Sequence, residues 1–264
     1  MSHAQSQHRI IAPRRESLRD ALSERRPLTA MFSIIPAIPV VEMIGLAGFD
    51  CAIVDMEHGP LGIADLMPLM LAADARGAFP IVRVPDATPH MIGAALDVGA
   101  AAVLVPQVVS AETARAAVSA ARYAPEGTRG VNPWVRAASY GGGTEWLQAE
   151  NRNAAVMVMI EGKDGLAALD DILGVEGLDA IFLGPVDMAQ SMGFPGQPEH
   201  EAVVAAIEEA VERAGRRGVG VAVFAPDAAG AARWFARGVS FVAVSEDTVT
   251  ILGAFTTLRR ECRP

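Results

Sequence analysis

Short runs of apolar and β-branched residues alternate along this chain with alanine-rich stretches whose apolar positions recur every three and four residues. Eight runs have strand character: Leu28 to Ile34, Cys51 to Asp55, Pro80 to Val84, Ala101 to Val105, Val156 to Ile160, Ala180 to Leu183, Val219 to Phe224 and Phe241 to Val244. They are nearly continuous in hydrophobicity, as strands covered on both faces must be. Between them, Ile63, Leu66, Leu69 and Met70 share one helical face, and Ala114, Ala117, Val118 and Ala121 another. Gly48, Gly99, Gly177, Gly218 and Gly238 each stand shortly before a strand, where helix-ending glycines belong. The alternation predicts an α/β fold, a closed (β/α)8 TIM barrel preceded by one extra helix at Glu16 to Glu24.

Composition narrows this picture. The chain has 264 residues and 51% hydrophobic content, and a barrel of about 250 residues folds as one domain. The expected organisation is an N-terminal tail over residues 1–16 and a single barrel over 17–264. The tail carries His3, His8, Arg9, Arg14 and Arg15 but lacks the apolar centre of a secretory signal. The longest apolar stretch, Met31 to Phe49, is interrupted by Pro36, Pro39 and Glu42 and does not read as a membrane span. A net charge of −9 without any Lys/Arg block argues against nucleic acid or an anionic membrane as partner. Cys51 and Cys262 are too few for a disulfide framework or a thiolate metal site, so a reducing cytoplasm is the expected location.

One connection is too long for a plain barrel. Tyr123 to Glu150 contains Gly127-Thr128-Arg129-Gly130 and Gly141-Gly142-Gly143. On the catalytic face it would serve as a lid or an oligomer contact; an inserted helix is the alternative.

Barrel enzymes carry their chemistry at the C-terminal ends of the strands, so polar side chains there are the candidates. Glu161 closes the run Ala155 to Ile160, and Asp187 follows Leu183-Gly184-Pro185-Val186, 26 positions later. Either acid alone could be a surface group or a helix cap. Together on consecutive strand ends they point to a shared divalent cation with positions left for water and a chelating substrate. That suits Mg²⁺, Mn²⁺ or Co²⁺ and not structural zinc. Arg83 ends Ile81-Val82-Arg83; it either pairs with Asp55, Glu57 or Glu161, or recognises a substrate carboxylate or enolate oxygen. His58 follows the second run and can exchange protons near neutral pH, with a structural histidine as the alternative. Lys163 is the only lysine, and a Schiff-base aldolase would need one inside the barrel. Its place beyond Gly162 predicts solvent exposure.

These residues sit in an ordered series of motifs. Gly48-Phe49-Asp50, Asp55-Met56-Glu57-His58-Gly59-Pro60, Arg83-Val84-Pro85, Leu96-Asp97-Val98-Gly99-Ala100, Val105-Pro106, Arg122 through Gly130, Ile160-Glu161 and Gly184-Pro185-Val186-Asp187-Met188 occur in that order. From about residue 17 to the C-terminus the chain resembles the HpcH/HpaI family of metal-dependent pyruvate aldolases. The resemblance implies a (β/α)8 barrel that reversibly cleaves 4-hydroxy-2-oxo acids to pyruvate and an aldehyde. It implies Glu161 and Asp187 as metal ligands and Arg83 at the keto oxygen. The turn Gly184-Pro185, with the amides of Val186 and Asp187, would receive the substrate carboxylate. His58 would belong to the acid/base machinery, with Asp55 and Asp97 as supporting acids. Asp97 precedes its strand, so it would act only if another subunit or a folded-back segment presented it.

The chain departs from the family pattern at Met159 in place of glutamine, Met56 in place of glycine and Phe32 in place of tryptophan. These departures bear on the donor and the aldehyde, and hydroxypyruvate stands as an alternative donor. A homo-oligomer, a hexamer among the options, is expected because Trp134, Tyr140 and Trp146 need cover. The rival readings are a Lys163 imine aldolase and a barrel that binds an oxo acid without turnover.

Overall fold

The computed structural model describes residues 17–143 and 145–262; the expected tail lies outside the described residues. Eight parallel strands close into a barrel in sequence order, with β1 pairing β8. They are β1 Leu28–Ser33, β2 Cys51–Asp55, β3 Phe79–Arg83, β4 Ala102–Val105, β5 Ala155–Ile160, β6 Ala180–Leu183, β7 Gly220–Ala225 and β8 Phe241–Glu246. The helices are α1 Leu18–Ser23, α2 Ile38–Leu46, α3 Ile63–Ala75, α4 Pro89–Asp97, α5 Ala111–Ala121, α6 Trp146–Asn153, α7 Lys163–Ala167, α8 Leu169–Leu173, α9 Pro185–Met192, α10 Glu201–Arg217, α11 Ala228–Ala236 and α12 Asp247–Glu261.

Period-two geometry sorts each strand between two apolar shells. In β5, Ala155, Met157 and Met159 fill the barrel interior while Val156, Val158 and Ile160 pack outward under the helices. The interior layers include Phe32, Ile53, Ile81, Leu104, Phe182 and Phe241. Leu18, Ala21 and Leu22 of α1 join the same interior cluster, so this first helix plugs the N-terminal end. Arg19 of α1 holds Asp179 at 2.5 Å, an acid that also accepts the Val156 amide at 2.7 Å just before β6. Among the described residues α1 thus covers the N-terminal end of the barrel and leaves the C-terminal mouth as the end where strand-exit side chains gather.

The long connection lies at the plugged end, and this corrects the expectation of a lid. It leaves α5 after that helix has returned to the strands' N-terminal side. Arg136 bonds Asp74 at 2.5 Å and the Val98 carbonyl at 3.2 Å, and Arg129 bonds Asp97 at 2.7 Å, all residues that precede strands. A loop facing strand beginnings cannot close over strand ends. The inserted-helix alternative describes it: a short 3-10 turn at Arg136–Ala138 leads into α6. Trp146 is covered within its own chain, donating to the Ala137 carbonyl at 3.2 Å and packing on Tyr123. Trp134 and Tyr140 do stay exposed, at 75% and 60%.

Tyr123 gives this end a spectroscopic test. Its ring lies beneath the Arg129 guanidinium and its hydroxyl is buried without a hydrogen bond. Burial, which disfavours phenolate, pushes it up from 10.0 to about 12. A folded pKa raised above the unfolded one favours the native state fully below pH 10, and that contribution disappears as pH rises through about 12. In a Tyr140→Phe protein, which leaves Tyr123 as the sole tyrosine, the tyrosinate absorbance step is expected near pH 12. A step near pH 10 would contradict this packing.

Candidate active site

Parallel register builds the centre of the mouth. Asp55 and Arg83 are Cα partners at the ends of β2 and β3, so their side chains emerge together. Arg83 donates from Nε to Asp55 Oδ1 at 2.8 Å and from a terminal nitrogen to Oδ2 at 2.6 Å, a bidentate pair buried on both sides. Asp55 Oδ1 also accepts the amides of Glu57 at 2.9 Å and His58 at 3.3 Å, fixing the loop that carries both. Burial alone would lower the Arg83 pKa; the hydrogen bond and charge of Asp55, with Glu57 and Glu161 nearby, outweigh it and hold the cation firmly protonated. The guanidinium also lies 4.8 Å from the centre of the Phe32 ring.

Glu57 Oε2 comes within 3.2 Å of Arg83 but is misaligned for a hydrogen bond, leaving a buried oxygen without one. Its other oxygen accepts the Gln107 side-chain amide at 2.9 Å. Gln107 also donates its backbone N–H to Glu161 Oε2 at 2.8 Å. It does so with φ 54, a left-handed conformation unusual for a side chain of its size.

Glu161 and Asp187 meet over Gly184. A Cβ at that glycine would stand 3.6 Å from Glu161 Oε1 and 3.9 Å from Asp187 Oδ2, so both carboxylates face one spot on the rim. Glu161 is held above the usual carboxylate range, first by burial, then by repulsion from Glu57 and Asp187; the Gln107 amide and Arg83 oppose the shift. Asp187 lies in the first turn of α9, where Val186 and Asp187 present backbone N–H groups with no intrahelical acceptor. His58 is 65% exposed at the mouth, its Nε2 3.9 Å from Glu57 Oε2.

The donors that face this spot are all oxygen, from Glu161 and Asp187. That fits a hard divalent cation, and the crowding of like charge calls for one. Among the described residues no three His, Cys, Asp or Glu side chains converge tightly enough to enclose a metal alone. A cation here would take two protein carboxylates and complete its shell with water and substrate.

Two candidates fall elsewhere. Asp97 ends α4 at the plugged end of the barrel, paired with Arg129 at 2.7 Å, and reaches no mouth residue of its own chain. Lys163 opens α7 with an exposed side chain outside the barrel interior. Sequence reasoning missed three mouth residues: Gln107, Glu246 and Asp247. Gln107 follows Pro106 just past β4, the same strand-end signal that singled out Arg83. The acids were missed because β8 runs to Glu246, two residues beyond its expected end.

Asp247 is structural. Buried, it accepts from the Ser33 hydroxyl at 2.9 Å and from the amides of Ile34 at 3.2 Å, Ile35 at 3.1 Å and Thr248 at 2.7 Å. It thereby locks the β8 exit to the β1 exit. Asp247→Ala strands these donors and is expected to cost about 3 kcal/mol in urea unfolding; a cost well below about 1 kcal/mol would show that the seam holds without it.

An eight-stranded parallel barrel plugged at one end, with a buried arginine and clustered carboxylates at the other, has the layout of a barrel enzyme whose chemistry sits at the C-terminal mouth. The family described as HpcH/HpaI aldolase/citrate lyase matches residues 29–254. The chain is 38% identical over 213 residues to the pyruvate aldolase of Rhizobium etli, covering 81% of this chain and 84% of that one. It is 39% identical over 214 residues to the 5-keto-4-deoxy-D-glucarate aldolase of Shigella dysenteriae, covering 81% and 82%. The crystal structure of an HpcH/HpaI aldolase/citrate lyase family protein from Burkholderia cenocepacia superposes with a TM-score of 0.89 at 31% identity, covering 94% of this chain and 99% of that one. The chain belongs to the HpcH/HpaI aldolase/citrate lyase family.

Proposed function

We propose that this protein is an aldolase, a carbon–carbon lyase that reversibly cleaves 4-hydroxy-2-oxo acids to pyruvate, or a related 2-oxo acid such as hydroxypyruvate, and an aldehyde. The observation that carries this reading is the convergence of Glu161 and Asp187 over Gly184, at the mouth that also holds the buried Arg83. Glu161 and Asp187 would hold a divalent cation, Mg²⁺, Mn²⁺ or Co²⁺, which would supply Lewis-acid polarisation of the substrate's keto group.

The chain's own groups do the rest. The amides of Val186 and Asp187, beyond the turn at Gly184 and Pro185, receive the substrate carboxylate at a helix N-terminus. Arg83 aims a permanent positive charge at the keto oxygen. When the C3–C4 bond breaks, its electron pair moves into the enolate, and the negative charge collects on that oxygen beside the guanidinium. The C4 hydroxyl becomes the aldehyde carbonyl by giving up its proton, which in this reading His58 takes and returns to C3. Asp55 holds Arg83 and the His58 backbone in place rather than moving a proton itself. Asp97 serves as a supporting acid only where a neighbouring subunit carries it to the mouth.

Assembly into a homo-oligomer, a hexamer among the options, is supported as far as self-association goes by α12. Its Val249, Leu252, Phe255 and Leu258 are all more than half exposed, as are Met43 and Leu46 of α2. Among the described residues no helix is long and apolar enough to cross a membrane, and we place the enzyme in the cytoplasm.

The testing experiment is retro-aldol turnover before and after chelation. Chelated enzyme is expected to lose activity by about 10²-fold or more and to regain it with Mg²⁺ or Mn²⁺. Undiminished turnover without metal, or borohydride trapping of pyruvate on Lys163, would replace this reading with an imine mechanism.

A further inference from the structure

With the donor seated as proposed, its contacts come from β3, the β5 end and the start of α9. Ring closure then places β7, β8 and β1 across the mouth from them. The aldehyde half of the substrate extends over that sector. Its upper residues are Phe224 and Phe32, whose rings lie 6.2 Å apart, and Glu246.

Glu246 faces inward because the sheet is irregular there. Ala30 pairs Ala243 but Phe32 pairs Glu246, so β8 spends three residues where β1 spends two. The extra residue is absorbed at Ser245, a non-glycine with φ 62. Regular alternation from the interior residues Phe241 and Ala243 would have pointed Glu246 out toward the helices. The bulge instead brings it level with Phe32, an interior residue beneath the Arg83 guanidinium.

Its neighbours are already engaged. Asp247 is fully used on Ser33 and the backbone, and Arg83 is shared between Asp55 and Glu57. The Glu246 carboxylate has no hydrogen bond or ion pair among the described residues. Half-buried, its carboxyl is pushed up, first by burial and then by Asp55 and Asp247, while Arg83 and His58 act in the opposite direction. Glu57 adds a second negative group to the mouth, where Arg83 already faces Asp55 and Glu57 and His58 lies 3.9 Å from Glu57 Oε2.

We infer that Glu246 is a specificity-determining residue for the aldehyde half: it selects a neutral, hydroxylated aldehyde and disfavours one that carries its own carboxylate. This rests on the donor site proposed above. Hydroxyl groups donate to the Glu246 carboxylate while the carbon skeleton lies on Phe32 and Phe224. An anionic semialdehyde would bring a third negative charge toward Glu246 and Glu57 with no spare cation to meet it.

The test is the ratio of kcat/KM for glyceraldehyde to that for succinic semialdehyde, with pyruvate as donor and Mn²⁺ present. A ratio is unaffected by the fraction of enzyme folded. The wild type is expected to favour glyceraldehyde by about tenfold or more, and Glu246→Gln and Glu246→Ser to shift the ratio toward the semialdehyde by about tenfold. A wild type that prefers the semialdehyde, or variants whose ratios stay within about twofold of wild type, would overturn the inference. Exchange of pyruvate methyl protons into D₂O by the wild type, without any aldehyde, reports the donor site separately. Missing exchange removes the donor reading and this inference with it, whereas exchange with an unmoved ratio removes only the role of Glu246.

Discussion

An Arg83→Ala enzyme is expected to lose roughly 10³-fold in kcat/KM for cleavage of a 4-hydroxy-2-oxo acid, because the proposed mechanism sets this guanidinium beside the developing enolate oxygen. The same substitution is expected to destabilise the fold by about 3–5 kcal/mol, since it leaves Asp55 charged and buried without its partner. Asp55 keeps only its two backbone donors, from Glu57 and His58. Adding Asp55→Ala should therefore restore part of the lost stability without restoring turnover. Arg83→Lys should restore neither fully, because an ammonium cannot span both Asp55 oxygens and still present a donor to substrate. Urea unfolding of the single and double variants measures the first effect, and steady-state cleavage the second. Turnover of Arg83→Ala within about tenfold of wild type would remove Arg83 from the chemistry and leave it an ion-pair partner of Asp55.

Glu161→Gln separates cation binding from folding. The side chain keeps its size but loses the charge a divalent cation needs, and cation affinity is expected to fall by at least about 10²-fold, more than loss of a group that only orients a ligand. Metal-free wild type holds Glu161 against burial and against repulsion from Glu57 and Asp187. The neutral amide relieves both, so the metal-free variant should be as stable as metal-free wild type or more so. Added Mn²⁺ should raise the melting temperature of wild type by mass action and leave the variant nearly unmoved. Equal Mn²⁺ retention by the two proteins after gel filtration would exclude Glu161 as a ligand.

Strand positions were readable because each one is a local pattern. Parallel strands under helices must be apolar on both faces, and helices must end before them, which Gly218 does for α10 with φ 74. The residues at the mouth were readable for the same reason. A charged side chain directly after a buried run, as at Asp55, Arg83 and Glu161, announces a strand end by its chemistry alone. Where that local signal was cut short the reading failed: stopping β8 at Val244 put Glu246 and Asp247 in an unremarked loop, although the strand continues through a bulge that no apolar pattern marks.

Partnership is a different matter. Three groups were equal candidates for Arg83, and the choice of Asp55 follows from β2–β3 register across 28 positions. Asp247 reaches Ser33 across 214 positions because β8 closes on β1. The long connection belongs to the plugged end because α5 has already crossed the barrel before it begins, and its glycines say nothing about which end that is. Order of apolar and polar residues along a chain dictates which segments become strands and which side chains cap them, since both depend on neighbours a few positions away. Which capping groups meet, and toward what they are turned, comes from register, bulges and ring closure, which join residues the chain keeps far apart.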